Sequence, residues 1–487
     1  MKGYFTRKLL VAMLAASHER SHPAGLMDFI LNGRKTQLPD GNPHTTLLDW
    51  LRAAGFTGSK EGCAEGECGA CTVLLVRPQI ADDTTLSKYV PMNSCLLLLP
   101  MVAGQEVYTV EALATTEGMC EVQRAMAEGG GSQCGYCTPG FVVSLFAEQY
   151  RPGRIGPCDP HSMGGNLCRC TGYRPIRDAA LSIGPAPDDA FRARLTSCAP
   201  STTPFATNGF HCPRTISECL QLMAANPGAR YVAGATDVAV ESNLRDLRWP
   251  LLVSTEALAE LQVFTETASE IEIGAGLPLS EIELRWQDAP PAFKEWFPLF
   301  ASPLIRNRAT LGGNLATGSP IGDAAPLLLA FDAALNITGQ AGARQVQLSD
   351  FFLGYRKTHL APGELLVSIT IPKPLPHQAR FYKVAKRQLD DISTIAACFA
   401  LDCNEGGKIE RARITYGGVA ATPIRVTVAE ELLVGMPWNQ QTVEQAQALI
   451  ATELKPLDDH RGSAAYRLAM AKSLLAKFWF EQSETPE

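Results

Sequence analysis

Eight of the chain's 15 cysteines stand in two groups of four, and this feature most restricts its fold. The first group has the spacing C-x₄-C-x₂-C followed by a distant fourth cysteine. The second group pairs a C-x₂-C with a C-x-C. The first group is Cys63, Cys68, Cys71 and Cys95, and the second group is Cys134, Cys137, Cys168 and Cys170. Four thiolates are the ligands of one [2Fe–2S] cluster, so the chain must bring four sulfurs together at two places.

The first cysteine group has the spacing of plant-type ferredoxins. Three of its ligands would lie on one tight loop. Gly62, Gly66 and Gly69 would let the backbone turn there and bring amide N–H groups close to a cluster. Zinc sites more often use paired C-x₂₋₄-C knuckles, so this spacing favours iron and sulfur.

The second cysteine group suits either a [2Fe–2S] cluster or a zinc ion, and its spacing leaves both open. Two neighbouring groups of four thiols favour an electron relay. The other cysteines show no ligand spacing and are expected to be small buried residues or idle thiols. They are Cys120, Cys158, Cys198, Cys212, Cys219, Cys398 and Cys403.

Composition limits the class of protein. The length of 487 residues predicts about three domains, and 46% hydrophobic with 19% charged residues predicts globular cores. A net charge of −7 argues against nucleic acid as a partner. No apolar run approaches the roughly 20 residues that span a bilayer, so we expect no membrane partner. Many cysteines without a compact secreted plan predict a reducing, cytoplasmic location.

The N-terminal segment 1–26 allows two interpretations. Lys2, Arg7 and Lys8 precede an apolar run at 9–16, which resembles a short signal peptide. Alternatively, translation starts downstream, because Met27 opens a strand-like run. Export conflicts with free thiols, so we interpret this segment as a leader or disordered extension that is not part of the fold.

Local patterns predict the order of the domains. Asn32-Gly33 predicts a hairpin, 46–52 a short helix and 72–76 a strand. Helical spacing is read at 107–114, and a helix is expected to start near Pro139. A strand at 409–417 and a helix at 464–480 are predicted near the C-terminus. The predicted boundaries are 1–26 (leader), 27–104 (ferredoxin-like), 105–183 (helical), 184–209 (linker), 210–375 (a domain with glycine-rich turns) and 376–487 (C-terminal domain).

Two glycine-bearing turns suit a phosphate group. They lie at 231–237 and 309–317, and Asp323 follows the second turn. Backbone N–H groups and hydroxyls in such turns can bind a pyrophosphate, although neither is a Rossmann fingerprint and a plain structural turn stays open. Lys383 with the pair Asp390-Asp391 could flank a flavin ring or bind a nicotinamide nucleotide. The alternative for these charges is a solvated face.

Five segments together resemble a known family. Segments 61–71, 133–140 and 166–174 resemble the iron–sulfur region of the molybdenum hydroxylases, and 306–314 and 352–358 resemble the FAD domain of xanthine dehydrogenases. The resemblance covers most of the chain. It implies a multidomain α+β fold: a β-grasp 2Fe-2S ferredoxin domain, a helical 2Fe-2S domain, a vanillyl-alcohol-oxidase (PCMH-type) FAD domain and an α+β flavoprotein C-terminal domain.

The same resemblance implies a set of FAD contacts. These are Tyr231, Val232, Ala233, Gly234, Ala235, Thr236, Asp237, Phe300, Thr310, Gly313, Ala316, Asp323, Leu366 and Lys383. Ala233, Ala235 and Asp237 depart from the expected form of the first turn, but Asp237 keeps the acid.

The resemblance also implies a role. The chain is similar to the small iron–sulfur/FAD subunit of bacterial xanthine dehydrogenases, whose molybdopterin lies on a separate large subunit in a heterodimer or heterotetramer. Electrons from purine oxidation would pass through the second cysteine group, then the first, then FAD, and finally to NAD⁺. The cofactors would carry the redox chemistry, and no catalytic side chain is assigned. Two alternatives remain: an aldehyde or N-heterocycle hydroxylase, and a non-catalytic zinc-bearing scaffold.

Overall fold

The computed structural model describes residues 27–39, 41–80, 83–114 and 118–483. The predicted leader at 1–26 therefore lies outside the described residues. The described part of the chain contains five β-sheets, each accompanied by helices or by a neighbouring sheet. Within these ranges, no helix combines the length and the apolar character needed to cross a membrane.

The first unit is a five-stranded mixed sheet covered by one helix. Its elements are β1 (Asp28–Leu31), β2 (Arg34–Gln37), α1 (Leu47–Ala53), β3 (Thr72–Ile80), β4 (Asp83–Asn93) and β5 (Glu106–Tyr108). The strand order is β2-β1-β5-β3-β4, with β1 and β5 parallel. Asn32 and Gly33 both have positive φ, at 53° and 74°, and join β1 to β2 as the predicted hairpin. Thr46 and Asp49 cap α1 reciprocally, and this helix buries Leu47 and Leu51 on the sheet.

The second unit is helical. Its elements are α2 (Glu121–Glu128), α3 (Thr138–Gln149), α4 (Arg174–Ser182) and α5 (Ala190–Arg194). The chain enters α3 through Pro139 in its first turn, as predicted. Residues 140–149 are all buried, so α3 is the central helix on which the others pack.

The third unit joins two sheets. The first sheet region contains β6 (Phe205–Thr207), β7 (Phe210–Cys212), α6 (Ile216–Ala225), β8 (Arg230–Val232), α7 (Val238–Arg245) and β9 (Leu252–Ser254). The second region contains β10 (Phe264–Glu266), β11 (Glu270–Gly274), α8 (Leu279–Arg285), α9 (Pro291–Leu299), α10 (Pro303–Arg306), α11 (Leu311–Ala316), α12 (Ala324–Ala330), β12 (Ala334–Gly339), β13 (Gly342–Gln347), α13 (Leu348–Phe351), β14 (Phe352–Gly354), β15 (Lys357–Thr358) and β16 (Leu365–Pro372). The sheet orders are β6-β7-β9-β8 and β10-β11-β16-β12-β13, and β14 pairs with β15 alone.

The fourth unit is an antiparallel sheet backed by helices. Its elements are β17 (Gln378–Val384), β18 (Ile395–Cys403), β19 (Ile409–Gly417), β20 (Ile424–Arg425), α14 (Thr427–Leu433), α15 (Gln440–Glu453) and α16 (Ala464–Ser483). Strand β18 has Ala397, Phe399 and Leu401 in the core shared with α16, whereas Ala396 and Cys398 point into the core of the third unit. Burial on both faces explains its continuous apolar sequence. The predicted strand and helix of this region are confirmed.

One local prediction is wrong. The helical spacing read at 107–114 is instead the strand β5 and a short 3-10 turn at Val110–Ala112. Val107 pairs with Leu75 in the middle of the first sheet, and a short apolar run fits a strand as well as a helix. The segment 184–209, predicted as a linker, contains α5 and β6.

Segment 184–209 also makes specific contacts. Arg194 forms an ion pair with the buried Glu106, at 2.7 Å between Nη2 and Oε2. Phe191 packs on Phe146 of the helical unit with ring centroids 4.9 Å apart. A five-residue helix carries too few apolar positions to show periodicity, which is why the sequence pattern did not reveal it.

Candidate cofactor sites

The loop between α1 and β3 carries three thiols of the first cysteine group. Cys71 and Cys95 are buried, whereas Cys63 and Cys68 are half-buried. The backbone N–H of Cys68 donates to the Cys63 sulfur at 3.3 Å. Hydrogen bonding from the Cys68 thiol is the main cause that lowers the pKa of Cys63 to about 5. The loop therefore favours a thiolate, the form that binds metal.

Glycines shape this loop for steric reasons. A Cβ at Gly62 would lie 2.6 Å from the Cys68 sulfur, so a side chain there would occupy the ligand's space. Gly66 and Gly69 have positive φ, at 87° and 64°. A Cβ at Gly69 would also lie 2.3 Å from the carbonyl oxygen of Gly165, next to the second cysteine group. The three predicted glycines are thus required by the turn and by close approach.

The second cysteine group brings its thiols together from two segments. The sulfurs of Cys170 and Cys134 are 3.7 Å apart, and those of Cys168 and Cys170 are 3.9 Å apart. Cys137 precedes α3 directly. In the described part of the chain, no three His, Cys, Asp or Glu side chains form a group suited to a single metal ion. The sulfurs instead meet in close contacts between segments.

Two residues that the sequence reasoning missed support this group. The hydroxyl of Tyr173 accepts the backbone N–H of Cys168 at 2.9 Å. The hydroxyl of Thr171 lies 3.1 Å from the Cys168 sulfur. Both belong to the short segment after Cys170. Hydroxyl-bearing residues so close to a C-x-C pair are the sequence feature that could have indicated this supporting role.

The two cysteine groups are joined by short contacts. The backbone N–H of Leu167, beside Cys168, donates to the carbonyl of Cys68 at 3.0 Å. Asn166 donates to the carbonyl of Gly69 at 3.1 Å and accepts from the Ser144 hydroxyl at 2.7 Å. Ligand-bearing segments of both groups therefore touch through backbone atoms, with the fully buried amide of Asn166 between them.

The flavin-type turns also lie side by side. In the first turn, a Cβ at Gly234 would lie 1.8 Å from the carbonyl oxygen of Arg308, which leads into the second turn. Ala235 has φ of 65°, an uncommon conformation for a residue with a side chain. In the second turn, the Thr310 hydroxyl accepts the backbone N–H of Gly313 at 3.1 Å and starts α11.

A buried ion pair brings two further predicted residues together. The Lys383 ammonium lies 2.9 Å from the Asp323 carboxylate, with side chains 3% and 8% exposed. Lys383 also donates to the carbonyl of Leu299 at 2.8 Å, which places it beside Phe300. The Ser393 hydroxyl donates to the other Asp323 oxygen at 2.5 Å. This pair is satisfied internally and is separate from the two turns.

The remaining predicted contacts lie around these two places. Phe300 and Leu366 pack on the same hydrophobic core. Ala316 ends α11 and is exposed. Tyr231 and Val232 lie in β8, and the Tyr231 hydroxyl donates to the carbonyl of Gly363 at 3.0 Å. Thr236 and Asp237 complete the first turn, and Asp237 precedes α7.

A cleft of about 860 Å³ borders the turns. Of the predicted contacts, Ala233, Gly234 and Thr310 line it, while the Asp323–Lys383 pair does not. A residue missed by the sequence reasoning lies next to Gly313: the buried Oδ1 of Asn314 has no hydrogen-bond partner among the described residues. An orphaned acceptor beside an exposed glycine fits a hydroxyl-bearing dinucleotide such as FAD.

The predicted Asp390-Asp391 pair lies beside the first cysteine group. Arg387 of this segment is 3.8 Å from Glu67 on the cysteine loop. Asp390 is buried with φ of 50°, and its Oδ2 has no partner among the described residues. Burial, followed by the charge of Glu67, raises the pKa of Asp390 to about 7. The solvated-face alternative does not hold for Asp390.

Family models match most of the chain in four blocks. A 2Fe-2S iron-sulfur cluster binding domain matches 29–99, and a [2Fe-2S] binding domain matches 109–181. The FAD binding domain in molybdopterin dehydrogenase matches 204–374, and the CO dehydrogenase flavoprotein C-terminal domain matches 380–482. The predicted multidomain α+β fold is confirmed, with two [2Fe-2S] domains and an FAD-binding domain. The zinc-bearing scaffold finds no support in these matches.

Curated relatives extend the match along the chain. Xanthine dehydrogenase 2 of Arabidopsis thaliana is 32% identical over 93% of this chain and 39% of its own length. The xanthine dehydrogenase of Drosophila subobscura is 32% identical over 92% of this chain and 38% of its own length. The chain thus spans about two fifths of the length of the curated relatives it matches.

Solved structures match a little more than half of the chain. A chain of CO dehydrogenase from Oligotropha carboxidovorans is 31% identical with a TM-score of 0.53, covering 57% of this chain and 97% of that chain. A chain of quinoline 2-oxidoreductase from Pseudomonas putida 86 is 27% identical with a TM-score of 0.53, covering 57% of this chain and 98% of that chain.

Proposed function

Because the chain belongs to the molybdenum hydroxylases, as their iron–sulfur and flavin portion, we propose that it serves a xanthine dehydrogenase. Its partner would be a large subunit that carries the molybdenum cofactor and oxidises hypoxanthine and xanthine. When bound, two [2Fe–2S] clusters and FAD would carry electrons from that partner to NAD⁺.

The observation that carries the proposal is the graded burial of the two cysteine groups. Cys134 and Cys170 are exposed, so the second group can be approached closely by a partner. Cys71 and Cys95 are buried, and the loop of the first group contacts the third unit, called the flavin unit from here on, through a hydrogen bond from Asn243 to the carbonyl of Ala64. Electrons would therefore enter at the surface and leave through the interior, in the order that the resemblance implies.

The chain's own residues have distinct tasks in this proposal. The four cysteines of each group would hold one cluster. The turns at 231–237 and 309–317 would hold the FAD pyrophosphate through backbone N–H groups, and Asn314 would offer an acceptor for a hydroxyl of the dinucleotide. Lys383 and Asp323 fix the wall behind Phe300 by a buried, fully bonded ion pair.

Hydroxylation of an N-heterocycle is the second candidate. It is favoured by the likeness to quinoline 2-oxidoreductase, whose matched chain is covered almost completely. The likeness to xanthine dehydrogenases covers more of this chain, including both cysteine groups, and we therefore prefer purines. An aldehyde substrate has no comparable support.

Purification followed by reconstitution tests the proposal. The purified chain should contain about four irons and show an FAD absorption band, because each cluster holds two irons. With a molybdenum subunit added, xanthine should reduce NAD⁺. Turnover of quinoline but not xanthine would select the second candidate. Zinc in place of iron, or protein without flavin, would contradict both candidates.

A further inference from the structure

One side chain of the flavin unit donates hydrogen bonds to the first cysteine group, which lies in the first unit. Asn243 lies in α7, and its Nδ2 donates to the carbonyl of Ala64 at 2.9 Å and to the carbonyl of Cys95 at 2.9 Å. Ala64 follows Cys63 directly, and Cys95 is itself a predicted ligand. The two carbonyls therefore belong to the two chain segments that close the site.

These two hydrogen bonds use both N–H donors of the Asn243 side chain. An amide NH₂ group offers two N–H donors, and here each finds one carbonyl. Ala64 adopts φ of 60°, which is uncommon for a residue with a side chain and persists only where neighbouring contacts hold it. A bond to its carbonyl is such a contact.

Asn243 also connects the cysteine loop to the flavin turn. Helix α7 starts after Asp237, the last residue of the first turn, and reaches Asn243 after about 9 Å of helix. Close packing reinforces this connection, because a Cβ at Gly66 would lie 2.7 Å from Ile305 of the flavin unit. A short helix, rather than a flexible loop, thus separates the flavin turn from the Asn243 side chain that contacts the cysteine segments.

Within the first unit, a second amide holds the same loop. Asn93 donates through Nδ2 to the carbonyl of Gly66 at 2.8 Å. The loop is therefore held from its own unit by Asn93 and from the flavin unit by Asn243. Only the second of these contacts can fix the distance between the two cofactor sites.

We propose that Asn243 is a positioning residue for the cluster of the first cysteine group. It orients the Cys63 and Cys95 segments relative to the flavin turn, because its two N–H groups hold the carbonyls of Ala64 and Cys95. The held loop keeps its own donors in place, such as the Cys68 N–H that bonds to the Cys63 sulfur. Hydrogen bonds to the sulfurs stabilise the reduced, more negative state of a cluster and so raise its reduction potential. The inference rests on the proposed function, in which this group holds the cluster next to FAD.

Two variants and two controls isolate this role. Asn243→Leu keeps the approximate volume and removes both donors, whereas Asn243→Asp keeps the shape and adds a negative charge. Asn226→Leu removes a hydrogen bond from the Asn226 side-chain amide to the carbonyl of Leu222 inside the flavin unit. Asn307→Leu removes a hydrogen bond from the Asn307 side-chain amide to the carbonyl of Pro91, between the flavin unit and the first unit. All three asparagines are half-buried, so the controls match the test position.

Two quantities are measured in the full-length protein. They are the rate at which a chelator removes iron and the reduction potential of each cluster, which is determined by electron paramagnetic resonance. Signals are assigned with Cys68→Ser and Cys134→Ser. Asn243→Leu should release iron from the first cluster about tenfold faster, because it removes the hydrogen bonds that hold the two ligand segments. Its potential should fall, and Asn243→Asp should lower it further. The second cluster and both controls should match the wild type.

Other results overturn the inference. It is wrong if Asn243→Leu leaves the rate and potential of the first cluster unchanged, or if it changes both clusters equally, as general destabilisation would. If the leucine variant fails to retain the second cluster, the isosteric aspartate variant carries the test by the same criteria. A wild-type chain without iron in the first group would instead contradict the proposed function itself.

Discussion

Neutral amide side chains hold both cysteine groups at the residue scale. Asn93 and Asn243 donate to carbonyls of the first loop, and Asn166 donates to Gly69 between the two groups. An amide supplies donors without adding charge, so it can sit beside thiolates without pairing with them as a cation would. These positions show no ligand spacing, and only the tertiary structure reveals them.

Replacing one ligand tests the assignment of the first group. Cys68→Ser should remove the spectral signature of one cluster and leave the other, because each group has its own four thiols. Electron paramagnetic resonance of the reduced protein measures this, with Cys198→Ser, an exposed cysteine outside both groups, as the control. Two intact signatures in Cys68→Ser would show that the ligand set is wrong.

His44 makes a contact between units sensitive to pH. Its Nε2 accepts the backbone N–H of Trp249 at 3.1 Å, and the two rings stack 5.8 Å apart. Burial, followed by the charge of Arg248, lowers the pKa of His44 below 6.5. The neutral ring is thus favoured in the folded protein, and its stabilisation is complete above the unfolded pKa and is lost as pH falls through the folded pKa.

A variant exposes this dependence. His44→Gln should lower the free energy of unfolding by about 1 kcal/mol at about pH 8, where the histidine bond is intact. The difference from wild type should shrink towards about pH 5 as the imidazole protonates in the wild type. Urea unfolding at several pH values measures both. A difference that stays constant across this range would contradict the assignment.

At the element scale, local patterns predicted elements whose signals are local. The Asn32-Gly33 hairpin, the capped helix α1 and the start of α3 follow from turn and cap chemistry. Strand β5 was misread because its only strong apolar residue, Val107, pairs with a strand far away in sequence. Asn314 lies within the second predicted turn, yet its orphaned oxygen depends on how α11 packs and could not be predicted.

The second flavin turn gives a prediction for an element. Gly313 is exposed at the start of α11, and a Cβ there would meet the Thr310 hydroxyl at 2.9 Å. Gly313→Glu should abolish FAD retention, because its side chain and charge would occupy the approach of the pyrophosphate. Both clusters should survive, since their ligands lie in other units.

The measurement is flavin absorbance and iron content of the purified variant. Gly41→Glu is the matched control, since a Cβ at Gly41 meets nothing within 4 Å and its φ is not positive. Loss of iron together with flavin in a folded Gly313→Glu protein would mean that the cofactor sites are not separate.

At the scale of the whole molecule, charged contacts fix the flavin unit against the iron–sulfur units. Arg77 of β3 lies 3.9 Å from Glu256 of the flavin unit, and Arg308, which pairs with the same Glu256, also faces Met101 of the first unit. Lys88 of β4 pairs with Glu281 of α8 at 2.8 Å. Partly buried pairs of this kind set orientation more than they add stability. The order from exposed thiols to buried thiols to flavin turns is therefore built into one arrangement.

Under the proposed function, this arrangement predicts that the two half-reactions can be separated. Cys134→Ser removes a proposed ligand of the exposed cysteine group but leaves the first group and the flavin turns untouched. The chain without a partner should then still oxidise NADH with a small artificial acceptor, because that reaction needs only the flavin side. Together with the molybdenum subunit, the same variant should fail to reduce NAD⁺ with xanthine, since electrons could no longer enter at the surface.

Both rates are measured on the same protein sample, with Cys198→Ser as the exposed control that should retain them. The separation depends on position rather than on folding, because Cys134 lies in an exposed loop and its sulfur approaches Cys170, which is also exposed. If Cys134→Ser lost NADH oxidation as well, the flavin side would depend on the distant group. If it kept xanthine-driven NAD⁺ reduction at the wild-type rate, electrons would enter elsewhere, and the proposed order of the two groups would be wrong.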